Sequence, residues 1–121
     1  PLSLVISAFA PLQDIRGTLT PELKTTAGDT QSVLVDLGRG KNRPGGSALG
    51  QVFRTLDGTA PDLDSASDML GLFSLLKAAR TEGLLLAYHD RSDGGLLAAV
   101  VEMAFAGRCG ATLDLAGAMP D

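Results

Sequence analysis

The sequence predicts an α/β fold in which helices pack on a short mixed β-sheet. Short apolar runs of strand length alternate with segments whose apolar residues recur at helical spacing. The order strand, glycine-rich loop, helix also occurs twice, over residues 31–58 and 84–107. A length of 121 residues is enough for one compact domain.

Four short segments rich in apolar residues are predicted strands: residues 2–9, 31–37, 84–88 and 111–115. Residues 11–30 are rich in Thr, Pro, Asp and Gly and show no sustained period. We therefore predict an irregular connector there and place a domain boundary within it.

Three helices are predicted between these segments. The first ends near Gly58, the second follows Ser65 and ends before Gly83, and the third ends at Gly107. The spacing from Ser65 to Asp68 resembles a capping box. The predicted apolar faces are Leu49, Val52, Phe53 and Leu56, then Met69, Leu72, Phe73, Leu76 and Ala79, then Leu97, Val100, Val101, Ala104 and Phe105.

Composition excludes several classes of function. A single Cys rules out an internal disulfide, and with a single His it cannot supply the four ligands of a structural zinc site. No window reaches the ~20 apolar residues that cross a bilayer. The absence of Trp and a formal net charge of −4 argue against nucleic acid as a partner. We expect a protein of a reducing, cytoplasmic compartment, without nucleic-acid or membrane partners.

Residues 89–95 carry the clearest chemical signal. They lie between a predicted strand and the start of a predicted helix, where unpaired N–H groups and the positive end of the helix dipole favour an anion. Gly94 and Gly95 would let a phosphate approach the backbone, and the Ser92 hydroxyl would donate to it. Asp90 would then hold Mg²⁺, whose remaining ligands are phosphate oxygens and waters.

A structural interpretation of the same residues stays open. Ser92 or Asp93 would simply cap the helix, Asp90 would make a hydrogen bond within the turn, and His89 would be a buried histidine with its hydrogen bond satisfied. Spacing alone does not decide between the two interpretations.

The loop at residues 38–46 is a weaker candidate. It lacks the P-loop pattern, but its cations and its Gly-Gly pair suit phosphate contact. The alternative is a solvated basic turn in which Gly45 or Gly46 adopts a positive φ. The cations are Arg39, Lys41 and Arg43.

Other residues that could carry chemistry have simpler explanations. Cys109 and His89 could form a nucleophilic pair, but nothing in the sequence indicates an activated thiol. Met69 and Met103 are expected to fill a core. Glu102, in the middle of a predicted helix, is expected to be a solvent-facing charge.

Five motifs together resemble a known family. They are Ala-Tyr-His-Asp-Arg-Ser-Asp-Gly-Gly-Leu at residues 87–96 and the runs at residues 1–11, 33–42, 45–49 and 102–107. In these motifs the chain resembles the large, single-chain phosphoribosylformylglycinamidine synthases of purine biosynthesis. The resemblance covers nearly the whole chain, and the run at 87–96 is its most specific part.

The resemblance implies a glutamine-dependent, ATP-using C–N ligase. The family converts formylglycinamide ribonucleotide, glutamine and ATP to formylglycinamidine ribonucleotide, glutamate, ADP and phosphate, with Mg²⁺. Ammonia comes from a glutaminase domain, so Cys109 is not expected to be the glutaminase nucleophile. The implied partners are the remaining synthetase and glutaminase domains of the same polypeptide, and we expect the isolated segment to be inactive.

The family's synthetase region is a duplicated pair of units similar to aminoimidazole-ribonucleotide (AIR) synthetase. By resemblance, residues 1–30 are the end of an N-terminal-like domain and a linker in the second unit. Residues 31–121 are then the first part of its C-terminal-like domain. Because the chain starts at Pro1 in a strand-like run, we expect a segment of a longer polypeptide.

By the same resemblance, Asp90 matches a Mg²⁺ ligand and Ser92 a residue that contacts ATP, with Gly94 and Gly95 beside the nucleotide. Two alternatives remain for this site: it turns over, or it is auxiliary and holds ADP and Mg²⁺ to stabilise the fold.

Other classes of function also remain open. The chain could be a stand-alone phosphate- or nucleotide-binding module, another ATP-dependent enzyme of the AIR-synthetase superfamily, or a structural interaction domain. An exposed sheet edge would also allow the isolated chain to self-associate.

Overall fold

The computed structural model describes residues 4–55 and 58–115 and contains three helices within them. These are α1 (Ala48–Val52), α2 (Ala66–Thr81) and α3 (Gly95–Gly107). Each of the three predicted helices is therefore present. Parts of the sequence predictions, namely residues 2 and 3, Leu56 and residues 116–121, lie outside the described residues.

The described residues form no β-strand, so the sheet of the predicted α/β fold stays a prediction. In the predicted strand at residues 84–88, two backbone N–H groups donate to carbonyls outside any sheet. The N–H of Leu84 donates to the carbonyl of Ala79 in α2 at 2.9 Å, and the N–H of Tyr88 donates to the carbonyl of Thr20 at 3.0 Å. This predicted strand therefore contacts a helix end and the connector.

Helix α1 is shorter than its apolar stripe predicts. Ser47 is its N-cap and accepts a hydrogen bond from the N–H of Gly50 at 3.1 Å. The chain then reverses at Arg54, which has a left-handed φ of 57°, and the N–H of Thr55 returns to the carbonyl of Gly50 at 2.8 Å. This reversal ends the helix before the predicted position near Gly58.

Helix α2 begins and ends as predicted. The Ser65 side chain caps it by accepting from the N–H of Ser67 at 3.3 Å, although Asp68 does not complete a capping box. At its end, Gly83 has a φ of 69°, and the N–H of Leu84 donates to the carbonyl of the third residue from the helix end. This is the Schellman arrangement, which glycine favours because it has no Cβ. The less exposed face of α2 is formed by Met69, Leu72, Leu76 and Ala79, as predicted, whereas Phe73 is exposed.

Helix α3 ends at Gly107 as predicted, but its covered face differs from the predicted one. Leu97, Val101 and Phe105 point outward, and the Leu97 and Phe105 side chains are 71% and 85% exposed. The sequence of α3 is apolar almost all round, so more than one stripe satisfies a helical period. The less exposed face includes Leu96, Ala99, Val100, Met103 and Ala104.

The predicted connector at residues 11–30 is irregular, and it packs on the third helix near its end. Gly107 faces Leu23 so closely that a Cβ on Gly107 would lie 2.8 Å from the Leu23 carbonyl oxygen. The left-handed residue at this helix end is Arg108, with a φ of 51°. Gly107 is therefore explained by the close approach of the connector.

The chain covers little apolar surface by itself. Its accessible area is 10500 Å², whereas a compact monomer of this length exposes about 6,100 Å². Among the described apolar side chains Ala99 alone is buried, and within residues 4–55 and 58–115 no helix packs against another. None of the helices in the described part of the chain has the length and apolar character needed to cross a lipid bilayer.

Two glycines should respond in opposite directions to replacement by alanine. Gly45→Ala should lower the thermal midpoint, because its Cβ would meet the backbone of Gly58 and lie 2.7 Å from the carbonyl carbon of Thr59. Gly71→Ala, in open space inside α2, should raise helix stability by about 0.5–1 kcal/mol. Thermal unfolding followed by circular dichroism measures both variants. Equal midpoints for Gly45→Ala and the wild type would show that residues 45 and 58–59 are not in close contact.

Candidate functional site

The two glycine-rich loops meet at one carboxylate. We call residues 38–46 the first glycine loop and residues 89–95 the second glycine loop. Asp36 accepts hydrogen bonds from the N–H of Gly40 at 2.7 Å and of Gly38 at 2.9 Å, and its Oδ1 lies 3.6 Å from Nη2 of Arg91. The Gly40 N–H, then the Gly38 N–H and the Arg91 charge, lower the pKa of Asp36 although partial burial opposes them. The two hydrogen bonds to Asp36 thus hold the turn of the first loop, and the Arg91 contact connects this loop to the second.

The cations of the first glycine loop are paired with carboxylates near the start of α2. Arg39 contacts Asp68 at 2.7 Å, and both Lys41 and Arg43 contact Asp64, at 2.5 and 2.6 Å. The sequence allowed two interpretations of this loop, a phosphate contact and a solvated basic turn. The structure shows a third arrangement, in which ion pairs tether the loop to α2.

The second glycine loop enters α3 without a side-chain cap. The carbonyl of Ser92 accepts from the N–H of Gly95 at 3.0 Å, and Gly94 has φ 85° and ψ −7°, the geometry of the third residue of a type II turn. Gly94 is the N-cap and offers no side-chain acceptor, so neither Ser92 nor Asp93 caps the helix as the structural alternative supposed. The exposed Ser92 side chain and the start of α3 are both open to a ligand.

Asp90 presents its carboxylate to solvent. Its side chain is 77% exposed, and its Oδ1 lies 3.8 Å from Nδ1 of His89, beyond hydrogen-bond distance. Asp90 makes no side-chain hydrogen bond within the described residues, which also hold no cluster of three His, Cys, Asp or Glu suited to a metal. A cation here would take one protein carboxylate and fill its shell from a ligand and water, which fits Mg²⁺ held together with phosphates.

His89 is tied to α3 by a residue that sequence reasoning did not place in the site. Its Nε2 lies 2.6 Å from Oε2 of Glu102, and the His89 side chain is only 17% exposed. Glu102 is exposed, as predicted, but it is also a hydrogen-bond partner. His89 has its hydrogen bond satisfied, as the structural interpretation expected, but it is partly exposed rather than buried. No contact joins it to Cys109 within the described residues.

Residues 33–121 match the family model described as AIR synthase related protein, C-terminal domain. The match covers well over half of the chain and includes both glycine loops. The chain therefore belongs to the family of AIR synthase related proteins, through this C-terminal domain. The AIR synthase-like superfamily includes ATP-using enzymes.

The ion pairs of Asp64 should survive to low pH. Lys41 first, and then Arg43, lower the pKa of Asp64 from 3.8 to about 2. Because the folded pKa lies below the unfolded one, the stabilisation is fully present above pH 3.8 and is lost as the pH falls through about 2. An NMR titration of the Asp64 side-chain carboxyl carbon should give a midpoint well below the ordinary value of 3.8. A midpoint at 3.8 would contradict the tether.

Proposed function

We propose that this chain is part of the synthetase region of a phosphoribosylformylglycinamidine synthase and contributes to a Mg-nucleotide site. The enzyme is then a cytoplasmic, glutamine-dependent C–N ligase of purine biosynthesis. It makes formylglycinamidine ribonucleotide, glutamate, ADP and phosphate from formylglycinamide ribonucleotide, glutamine and ATP. The observation that carries the proposal is an exposed Asp90 carboxylate beside the uncapped start of α3.

Four residues of the second glycine loop have a physical role in this site. Asp90 holds Mg²⁺, which when bound neutralises charge on the nucleotide phosphates. Ser92 donates its hydroxyl to a phosphate oxygen. Gly94 and Gly95, both with positive φ, bring the backbone close to the phosphates at the positive end of the α3 dipole. A Cβ on Gly94 would lie 2.5 Å from Cβ of Ala98, so the turn also requires glycine there.

The ion pairs of the first glycine loop limit what that loop does in the site. Its cations are already paired with Asp64 and Asp68, so they neutralise those carboxylates rather than a ligand. The charge of the phosphates would therefore be neutralised by Mg²⁺ and by the positive end of the α3 dipole. The proposed nucleotide affinity therefore depends strongly on Mg²⁺.

The exposed apolar surface supports the proposed partners. Leu97 and Phe105 form an uncovered apolar stripe on α3, and the chain exposes far more area than a compact monomer. In the proposed enzyme, the remaining synthetase and glutaminase domains of the same polypeptide cover such surfaces. Residues 1–30 belong to the preceding N-terminal-like domain and its linker, and residues 31–121 to the C-terminal-like domain.

The central test is removal of the Asp90 charge in the complete native polypeptide. Asp90→Asn should raise the dissociation constant for Mg·ADP about tenfold or more, because the amide is a poor substitute for a carboxylate ligand. Asp29→Asn, an equal charge change in the connector, is the matched control. Isothermal titration with ADP and Mg²⁺ measures both variants. Equal weakening by the two substitutions, or none by Asp90→Asn, would refute the proposed site.

A second test concerns the whole polypeptide. An antibody raised against this chain should detect a native polypeptide many times longer, and the isolated chain should not turn over substrate, because it lacks an ammonia source. A native polypeptide of the same size as this chain would favour the alternative that it is a stand-alone binding module. Turnover by the isolated chain would also contradict the proposal.

A further inference from the structure

The hydrogen bond from His89 to Glu102 joins the second glycine loop to the middle of α3. A carboxylate only accepts hydrogen bonds, so Nε2 of His89 carries the proton and donates it to Oε2 of Glu102 at 2.6 Å. Glu102 is fixed by the helix backbone, and His89 precedes Asp90 directly. The contact therefore anchors the loop next to the residue that the proposed function assigns to Mg²⁺.

The two nitrogens of His89 face different carboxylates at different distances. Nε2 is hydrogen-bonded to Glu102, whereas Nδ1 stays 3.8 Å from Oδ1 of Asp90. The ring is largely covered, while the Asp90 carboxylate is largely exposed. His89 is therefore held without engaging the oxygens of Asp90, which remain available to a cation.

Other contacts hold the second loop less directly. The Arg91–Asp36 contact is looser, at 3.6 Å, and ties the loop to the first glycine loop rather than to the helix. The bond from Gly95 to Ser92 closes the turn but lies within it. Within the described residues, the Glu102–His89 pair is thus the side-chain hydrogen bond that sets the loop against α3.

We propose that Glu102 is a positioning residue for the Asp90 site, acting through His89 to hold the second glycine loop where Asp90 and the start of α3 meet one ligand. This inference rests on the proposed function. Residues that orient metal ligands typically contribute 10–100-fold to metal affinity. Glu102 itself touches neither the cation nor the nucleotide.

The test uses the complete native polypeptide with Glu102→Ala, Glu102→Gln and the control Glu82→Ala. Glu82 is the C-cap residue of α2, and Glu82→Ala also removes one exposed carboxylate. Glu102→Ala should raise the Mg²⁺ concentration for half-maximal ADP binding about tenfold. Glu102→Gln keeps an acceptor oxygen for His89 and should raise this Mg²⁺ concentration less. ADP binding in EDTA, to which the Asp90–Mg²⁺ contact does not contribute, should weaken less in Glu102→Ala than Mg·ADP binding does.

A second measurement separates positioning from overall stability. Hydrogen exchange of the amides at residues 90–94 should accelerate in ligand-free Glu102→Ala, while exchange within α2 stays unchanged. A general loss of structure would accelerate both regions and would overturn the proposal.

The outcomes distinguish the two proposals. If Asp90→Asn weakens Mg·ADP binding and Glu102→Ala leaves the Mg²⁺ dependence unchanged, the role of Glu102 is refuted and the proposed site stands. If Asp90→Asn has no effect, the proposed site fails. If the wild type binds no Mg·ADP, both proposals are overturned.

Discussion

Contacts between carboxylates and their donors, rather than apolar burial, set how the two glycine loops are arranged in the described part of the chain. Asp36 accepts from two N–H groups of the first glycine loop and faces Arg91 of the second. Asp64 and Asp68 tether the same first loop to the start of α2. Exposed ion pairs each contribute little stability, so this network orients the loops but does not replace a core. Within the described residues, many large apolar side chains stay exposed beside this network.

Local signals allowed the helices to be predicted, and their limits explain what was missed. Ser65 and Gly83 bound α2 because capping and left-handed termination depend on a few adjacent residues. The covered face of α3 was predicted only in part, since a nearly all-apolar helix satisfies several stripes at once: Val100 and Ala104 lie on it, whereas the other three predicted residues are exposed. The sheet stays a prediction because a strand is defined by a distant partner, and a single segment does not identify that partner.

The candidate site shows the same division between local and distant information. Asp90, Ser92 and the Gly94–Gly95 pair are consecutive or nearly so, and their residue types alone suggested an anion and cation site. The same residues also fitted a structural turn that caps the helix. Glu102 lies 13 residues beyond His89, and the partner of Arg39 lies 29 residues away. Such pairs form only when loops and helices pack. Charge complementarity between the basic first loop and the acidic residue in the first turn of α2 was the signal that could have indicated the second pairing.

In the proposed function, α3 connects the nucleotide site to the rest of the enzyme. Its start faces the phosphates, Glu102 in its middle anchors the second glycine loop, and its outer face presents Leu97 and Phe105 to a covering domain. A domain that packs on this face restrains the helix, and with it the loop that carries Asp90. Assembly would then already have reduced the conformational entropy of the loop, so a nucleotide would lose less free energy in ordering it. Assembly and Mg-nucleotide binding would therefore favour each other.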